Sequence, residues 1–260
     1  MAFLQVNFFS SVLGKSTNMN VILPQTAAGQ IGIDGDAGDT YPVLFLLHGM
    51  SDDYSAWMRY TSVERYAVER GLSVVMPDGA LSFYTDMVHG RKYFEFITEE
   101  LPAVCRDFFP RMSQRRDGRF IAGLSMGGYG ALKASLTCPQ TYGAAASLSG
   151  VVDIQEFCRM SHEGRRKILS EDFPDIDAVA GTDDDIFYLA ERTAGRGEKP
   201  RIFLRCGTED ILIDMHRRAS DHFLGLGYDI DSSERQGAHR WDFWDKNICD
   251  ALDFLLAKPE

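Results

Sequence analysis

The chain has 260 residues, with 27 basic and 38 acidic side chains and a formal net charge of −11 at neutral pH. That length suits one large domain, and no Pro- or Ser-rich linker interrupts the pattern, so residues 1–260 are read as a single domain. The acidic balance disfavours a phosphate backbone or an anionic lipid surface, so neither nucleic acid nor membrane is expected as a partner.

At the N-terminus, Met1 to Asn7 lacks a basic leader region and a long apolar run, and no later run reaches the length of a membrane span. A soluble, cytoplasmic protein is expected. Residues 3–13 and 18–23 alternate as two antiparallel strands of an edge hairpin, joined at Gly14-Lys15-Ser16-Thr17. Residues 25–41 are rich in Gly, Asp and Ala without a period and read as a surface loop. Their aspartates miss the spacing of a calcium loop and lack its closing Glu, which favours a solvated turn.

Pro42 to Leu47 is a continuous apolar run that ends at His48-Gly49 and fits a central strand buried on both faces. Residues 56–70 carry a helical pattern, residues 72–79 form a second buried strand, and Ser82 to Asp86 lie in the loop beyond it. A further helix is expected over 93–108. Then Arg119 to Leu124 reads as a strand, and the segment from Gly127 onward as a small-residue helix. Runs at 144–150, 201–207 and 229–234 give three more strands, and residues 213–226 and 241–257 two more helices. This alternation implies an α/β fold, a mostly parallel sheet with helices on both faces.

Between the strand and helix at its centre, Gly123-Leu124-Ser125-Met126-Gly127 fits the G-x-S-x-G nucleophile elbow. Glycines flank the serine because strand and helix pack closely beside a strained turn. The turn lifts the Ser125 hydroxyl clear and places the N–H of Met126 at a helix N-terminus, where an oxyanion can be held. A serine hydroxyl is a weak nucleophile and needs a base within hydrogen-bond reach and a third group to orient that base. In chain order the partners are Ser, then Asp or Glu, then His. Asp210, in the turn Gly207-Thr208-Glu209-Asp210, is the candidate acid, with Glu209 and Asp214 as neighbouring alternatives. His239 is the candidate base because, of six histidines, it alone lies between the last strand and the last helix. His216 and His222 fall on a helix, His162 in the long segment described below, and His89 in a loop that could border the site.

The second oxyanion donor is expected from the loop after His48-Gly49, making the backbone N–H groups of Met50 and Met126 the pair. His48, directly after a strand, is placed to shape that loop, and with Trp241 is a candidate for substrate contact. Five cysteines (Cys105, Cys138, Cys158, Cys206, Cys249) are odd in number, widely spaced and without a C-x-x-C pair. Neither a disulfide framework nor a zinc site is suggested, and reduced, mostly buried thiols are expected.

Leu47-His48-Gly49-Met50, Pro77-Asp78-Gly79 with Ser82-Phe83-Tyr84-Thr85-Asp86, Gly123 to Gly128, Gly207 to Asp210 and Gly237-Ala238-His239-Arg240-Trp241 together resemble the esterase D family of α/β-hydrolases. The N-terminal strands are most similar to its bacterial tributyrin esterase branch, and the family includes feruloyl esterases and S-formylglutathione hydrolases. The resemblance implies the α/β-hydrolase fold and a serine carboxylesterase acting on small-molecule acyl esters with short acyl groups, including acetyl and aromatic acyl such as feruloyl. It implies Ser125 as nucleophile, His239 as base and Asp210 as its orienting acid, with no metal or organic cofactor. Similar esterases are commonly homo-oligomers. Acyl transfer to another acceptor and S-formylglutathione-type thioesterase chemistry use the same triad and stay open. A non-catalytic binding protein of this fold is the reading from another class.

Residues 151–199 separate two strands by far more than a usual connection. They are expected to be a lid that overhangs Ser125, with Phe157, Cys158, Met160, Ile168, Leu169, Phe173, Ile186, Phe187, Tyr188 and Leu189 walling an acyl pocket and the acidic residues facing water. The alternatives are a satellite core, a subunit contact or a surface decoration.

Overall fold

A computed structural model describes residues 1–25, 38–173 and 175–258. Most of the 25–41 loop, with the aspartates weighed above, lies outside these residues. The N-terminal hairpin pairs β1 (Ala2–Ser10) with β2 (Lys15–Leu23), Ser10 opposite Lys15. The turn is therefore Ser11 to Gly14, earlier than the 14–17 junction expected. Its cause is local: Gly14 takes a left-handed φ of 61°, and the Ser10 hydroxyl accepts the Leu13 N–H at 2.9 Å.

β3 (Val43–Leu47) and β4 (Ser73–Pro77) are buried at every residue, as their continuous apolar runs require. The helical segment between them breaks into α1 (Ala56–Tyr60) and α2 (Val63–Val68). At the break the Thr61 hydroxyl accepts the Val63 N–H at 3.1 Å and donates to the Trp57 carbonyl at 2.5 Å, so a side chain takes over backbone partners. The helix expected over 93–108 is continuous but changes pitch, from α3 (Tyr93–Glu95) through a π-helical turn (Phe96–Glu100) to α4 (Leu101–Phe108). Pro102 has no N–H to return to the preceding turn, and the Ile97 carbonyl there accepts the Tyr142 hydroxyl at 3.3 Å instead.

β5 (Arg119–Leu124), α5 (Met126–Thr137), β6 (Ala144–Leu148), β7 (Arg201–Gly207) and β8 (Ile230–Arg235) complete one eight-stranded sheet in the order β1-β2-β4-β3-β5-β6-β7-β8. From β4 to β8 all neighbours are parallel, and only the N-terminal hairpin joins antiparallel. Alternate residues of β3 enter different cores. Val43, Phe45 and Leu47 face the layer that contains α5, whereas Leu44 and Leu46 face α1, α2 and α10 (Trp241–Leu256).

The chain leaves β3 for β4 on one side and returns to β5 on the other, so the carboxyl ends of β3 and β5 flank a topological switch point. Within 151–199 lie α6 (Ile154–Met160), α7 (Glu163–Asp172), a 3₁₀ turn (Ile176–Ala178) and α8 (Ile186–Ala194), before α9 (Ile213–Gly225) further on. Phe157, Leu169, Phe173, Ile186 and Leu189 are buried in the core on the α5 side, with Phe83 and Tyr129 in ring contact with Phe173. The acidic run does not simply face water. Asp183 pairs with Arg192, Asp184 with the buried Lys133, and Asp185 caps α8.

Two of the cysteines, Cys105 and Cys206, are buried and three are half-buried, all as free thiols. Burial pushes the Cys105 and Cys206 thiols up to about 12, which keeps them protonated and unreactive. No helix among the described residues is long and apolar enough to cross a membrane.

Candidate active site

The site begins with a strained backbone. Ser125 sits between β5 and α5 at φ 51° and ψ −115°, a conformation that non-glycine residues rarely adopt. Its carbonyl accepts N–H groups from Tyr129 and Val151, and its own N–H donates to Leu148, so the surrounding structure holds the turn on three sides. The glycines are steric requirements. A Cβ on Gly123 would lie 2.4 Å from the Gly127 backbone, one on Gly127 2.5 Å from the Leu47 carbonyl, and one on Gly128 2.6 Å from the Ser147 hydroxyl.

The parallel register aligns the carboxyl ends of β5, β6 and β7, and the loops beyond them deliver the remaining groups. His239 Nε2 lies 3.0 Å from Ser125 Oγ, and His239 Nδ1 lies 2.9 Å from one Asp210 carboxylate oxygen and 3.1 Å from the other. These contacts set the neutral tautomer: Nδ1–H donates to Asp210 and Nε2 accepts the serine hydroxyl. Asp210 is buried, and burial opposes its ionisation. The hydrogen bond from His239, the Leu212 N–H and the Ser149 hydroxyl outweigh that, holding the carboxyl below its ordinary value.

The two alternatives for the acid stand elsewhere. Glu209 is exposed, and Asp214 points outward on α9 in an ion pair with Arg217. His216 is buried on that helix, where burial lowers its imidazole to about 4. His89 is exposed and its N–H donates to the Glu171 carbonyl, apart from the serine.

His48, expected as a substrate contact, lies inside the fold beneath the Gly49 loop. It is buried, with Nδ1 donating to the Gly49 carbonyl at 2.8 Å and Nε2 accepting the Gly79 N–H at 2.9 Å. Burial pushes this imidazole below its ordinary value, so it is neutral and both nitrogens are occupied. The Tyr84 hydroxyl donates to the His48 carbonyl at 3.0 Å from the opposite side. With the Gly49 carbonyl tied to His48 and to the Asp52 N–H, the Met50 N–H of the same planar peptide points the other way. Met126 N–H opens α5 immediately after Ser125.

A cavity of about 510 Å³ opens on Ser125 and His239, lined by the Gly49–Asp52 loop, Leu124 and the segment from Arg240 to Trp244. Trp241 does line it, held edge-on by Trp57 and Trp244 at 5.2 and 5.3 Å and tilted against Tyr60 at 5.1 Å. No residue of 151–199 lines this cavity. Asp52, Trp244 and Ser149 were not singled out by sequence reasoning. A short W-x-x-W at a helix start was the one available signal, and it marks core as readily as a site. Among the described residues no group of three or more His, Cys, Asp or Glu side chains is arranged to hold a metal ion.

The Esterase family model matches residues 10–255. The chain belongs to this esterase family. A curated relative, an acetyl esterase of Caldicellulosiruptor saccharolyticus, is 31% identical over 262 residues, covering 98% of each chain. Among solved structures, a substrate-bound fluorophosphonate-binding serine hydrolase of Staphylococcus aureus superposes with a TM-score of 0.87 at 30% identity over 99% of both chains. An S-formylglutathione hydrolase of the same organism gives 0.83 at 30% identity, covering 98% of this chain and 99% of its own. The esterase thus has the α/β-hydrolase fold and is a serine hydrolase of carboxylic esters, as the motifs led one to expect.

Proposed function

We propose that this esterase hydrolyses small acyl esters, acetyl esters foremost, through an acyl-enzyme on Ser125. The observation that carries this reading is the linear array Ser125 Oγ to His239 Nε2 at 3.0 Å and His239 Nδ1 to Asp210 at 2.9 Å, set at the edge of one open cavity. His239 removes the hydroxyl proton as Ser125 attacks the ester carbonyl carbon. The carbonyl oxygen takes the negative charge and is held by the N–H groups of Met50 and Met126, which act where charge develops. As the tetrahedral intermediate collapses, His239 returns the proton to the departing alkoxide, and the alcohol leaves. Water then repeats the sequence on the acyl-enzyme with the same base, releasing the acid. The preference for a small acyl group draws support from the full-length similarity to an acetyl esterase.

The test is p-nitrophenyl acetate with wild-type and Ser125→Ala protein, alongside S-formylglutathione as a thioester. Loss of turnover by on the order of 10⁶ in kcat in the folded variant, with mass-detected acetylation of Ser125 in the wild type, is the expected result. Near-wild-type turnover by Ser125→Ala overturns the nucleophile assignment, and a faster thioester than ester reaction moves the physiological substrate to the thioester class.

A further inference from the structure

Three residues in the loop after β4 hold a backbone that side chains rarely adopt: Ala80, Phe83 and Tyr84 stand at φ 48°, 46° and 52°. Such a conformation persists where the surroundings over-determine it, and here they close on Tyr84, which is fully buried. We propose that Tyr84 is a positioning residue for the reaction, its hydroxyl fixing the peptide plane from which the Met50 N–H is aimed at the oxyanion. The inference rests on the Ser125 reading and on the Met50 and Met126 N–H groups as the oxyanion donors.

The Tyr84 ring is clamped by backbone that carries no side chain. A Cβ on Gly79 would lie 2.2 Å from Tyr84 Cε1, and one on Gly130 of α5 2.6 Å from Tyr84 Cδ2. The Ser82 hydroxyl holds the loop from within, accepting the Tyr84 N–H at 3.0 Å and donating to the Gly79 carbonyl at 2.6 Å. Ring and backbone together give the phenol one direction, and it donates to the His48 carbonyl at 3.0 Å. Burial pushes this phenol well above its ordinary value, so it keeps the proton it donates.

At the His48 carbonyl the two halves of the oxyanion site meet. It lies 2.6 Å from the position a Cβ would take on Gly127, beside Met126 in the first turn of α5. It also belongs to the peptide plane next to the one that carries the Met50 N–H. Gly49 alone separates the two planes, and glycine offers little resistance to their rotation. Each plane therefore needs its own tie. The Gly49 carbonyl is tied to His48 Nδ1 and to the Asp52 N–H, and the His48 carbonyl is tied to Tyr84. Without the phenol the first plane loses a donor to a buried carbonyl and can turn, and the Met50 N–H turns with it. That loss is felt where charge develops on the substrate oxygen, and much less in the bound ester before attack.

In Tyr84→Phe, kcat on p-nitrophenyl acetate should fall by about tenfold per active site, with KM within about twofold of wild type. Active sites are counted by end-point labelling with a fluorophosphonate. A matched pair of inhibitors reads the oxyanion site itself. With a trifluoromethyl ketone, Ser125 Oγ adds to the carbonyl carbon, the serine proton passes to His239, and the ketone oxygen becomes an oxyanion. The corresponding methyl ketone binds without that addition. The inhibition constant of the first should rise by about tenfold in Tyr84→Phe and that of the second should stay at the wild-type value, so their ratio shifts tenfold. A tyrosine that serves packing alone would lower Tm and leave both the ketone ratio and the kcat per labelled site unchanged. Ser82→Ala keeps the phenol and frees the loop that aims it, and its ketone ratio should shift in the same direction; it carries the test if Tyr84→Phe does not fold. A kcat within twofold of wild type, or an unchanged ketone ratio in the folded variant, overturns the positioning role even where turnover still depends on Ser125. Turnover that survives Ser125→Ala overturns the nucleophile reading and this inference together.

Discussion

The imidazole of His239 meets the indole of Trp244 edge-on, with ring centroids 4.9 Å apart and planes at 89°. The same indole donates its Nε1–H to the Ser149 hydroxyl at 3.1 Å, and Ser149 in turn favours the ionised form of Asp210. One buried tryptophan therefore touches His239 directly and Asp210 through a hydroxyl, which fixes their relative position. Trp244→Phe keeps an aromatic ring beside His239 and deletes the donor together with part of the buried indole. It should lower kcat by about fivefold, the worth of one hydrogen bond of about 1 kcal/mol, with little change in KM. Steady-state kinetics on acetyl and butanoyl esters check this; an unchanged kcat would show that Ser149 holds Asp210 without the indole.

Asp210 and Asp214 are four residues apart and face different surroundings. Asp210→Asn should cost on the order of 10⁴ in kcat, because an amide opposite Nδ1 favours the wrong imidazole tautomer. Asp214→Asn removes an exposed partner of Arg217 and should leave kcat within about twofold. Measured on the same ester, the opposite ranking would transfer the orienting role.

The elbow glycine that admits no side chain is a stability test. Gly123→Ala places a methyl 2.4 Å from the Gly127 backbone, which cannot swing aside as a side chain could. We expect a loss of about 1 to 3 kcal/mol in urea unfolding, together with a lower kcat as Ser125 is displaced. A Tm and kcat equal to wild type would show that the strand-to-helix turn has slack.

Asp172, at the last turn of α7, is fully buried, and neither carboxylate oxygen has a hydrogen-bond partner among the described residues. Burial, then the neighbouring Glu171, push its carboxyl up to about 8. The folded value lies above the unfolded one, so the native state binds this proton more tightly. The associated stability is complete below the ordinary carboxylate range and is lost as pH rises toward 8. Asp172→Asn should therefore gain on the wild type between pH 5 and 7.5, by at most roughly 1.4 kcal/mol per pH unit. Urea unfolding at the two pH values gives the difference directly, and a constant difference would mean that Asp172 is ionised at pH 5 already.

The sequence by itself determined the parallel sheet and the groups at its carboxyl edge. Strands such as β3, buried on both faces, leave continuous apolar runs, and the elbow around Ser125 leaves glycines, because each constraint acts within a few residues of the chain. The order of Ser125, Asp210 and His239 was legible for the same reason, each lying just beyond a strand. Only the tertiary structure decided what surrounds them. Of the apolar side chains expected at an acyl pocket, Phe157, Leu169, Phe173, Ile186 and Leu189 turned into the core on the α5 side, whereas Met160 and Tyr188 are exposed. His48, read from the sequence as a candidate substrate contact, is held as a buried strut between Gly49 and Gly79. An apolar residue is driven out of water with equal force whether the surface that covers it is a core or a pocket wall, and that choice belongs to partners far away along the chain.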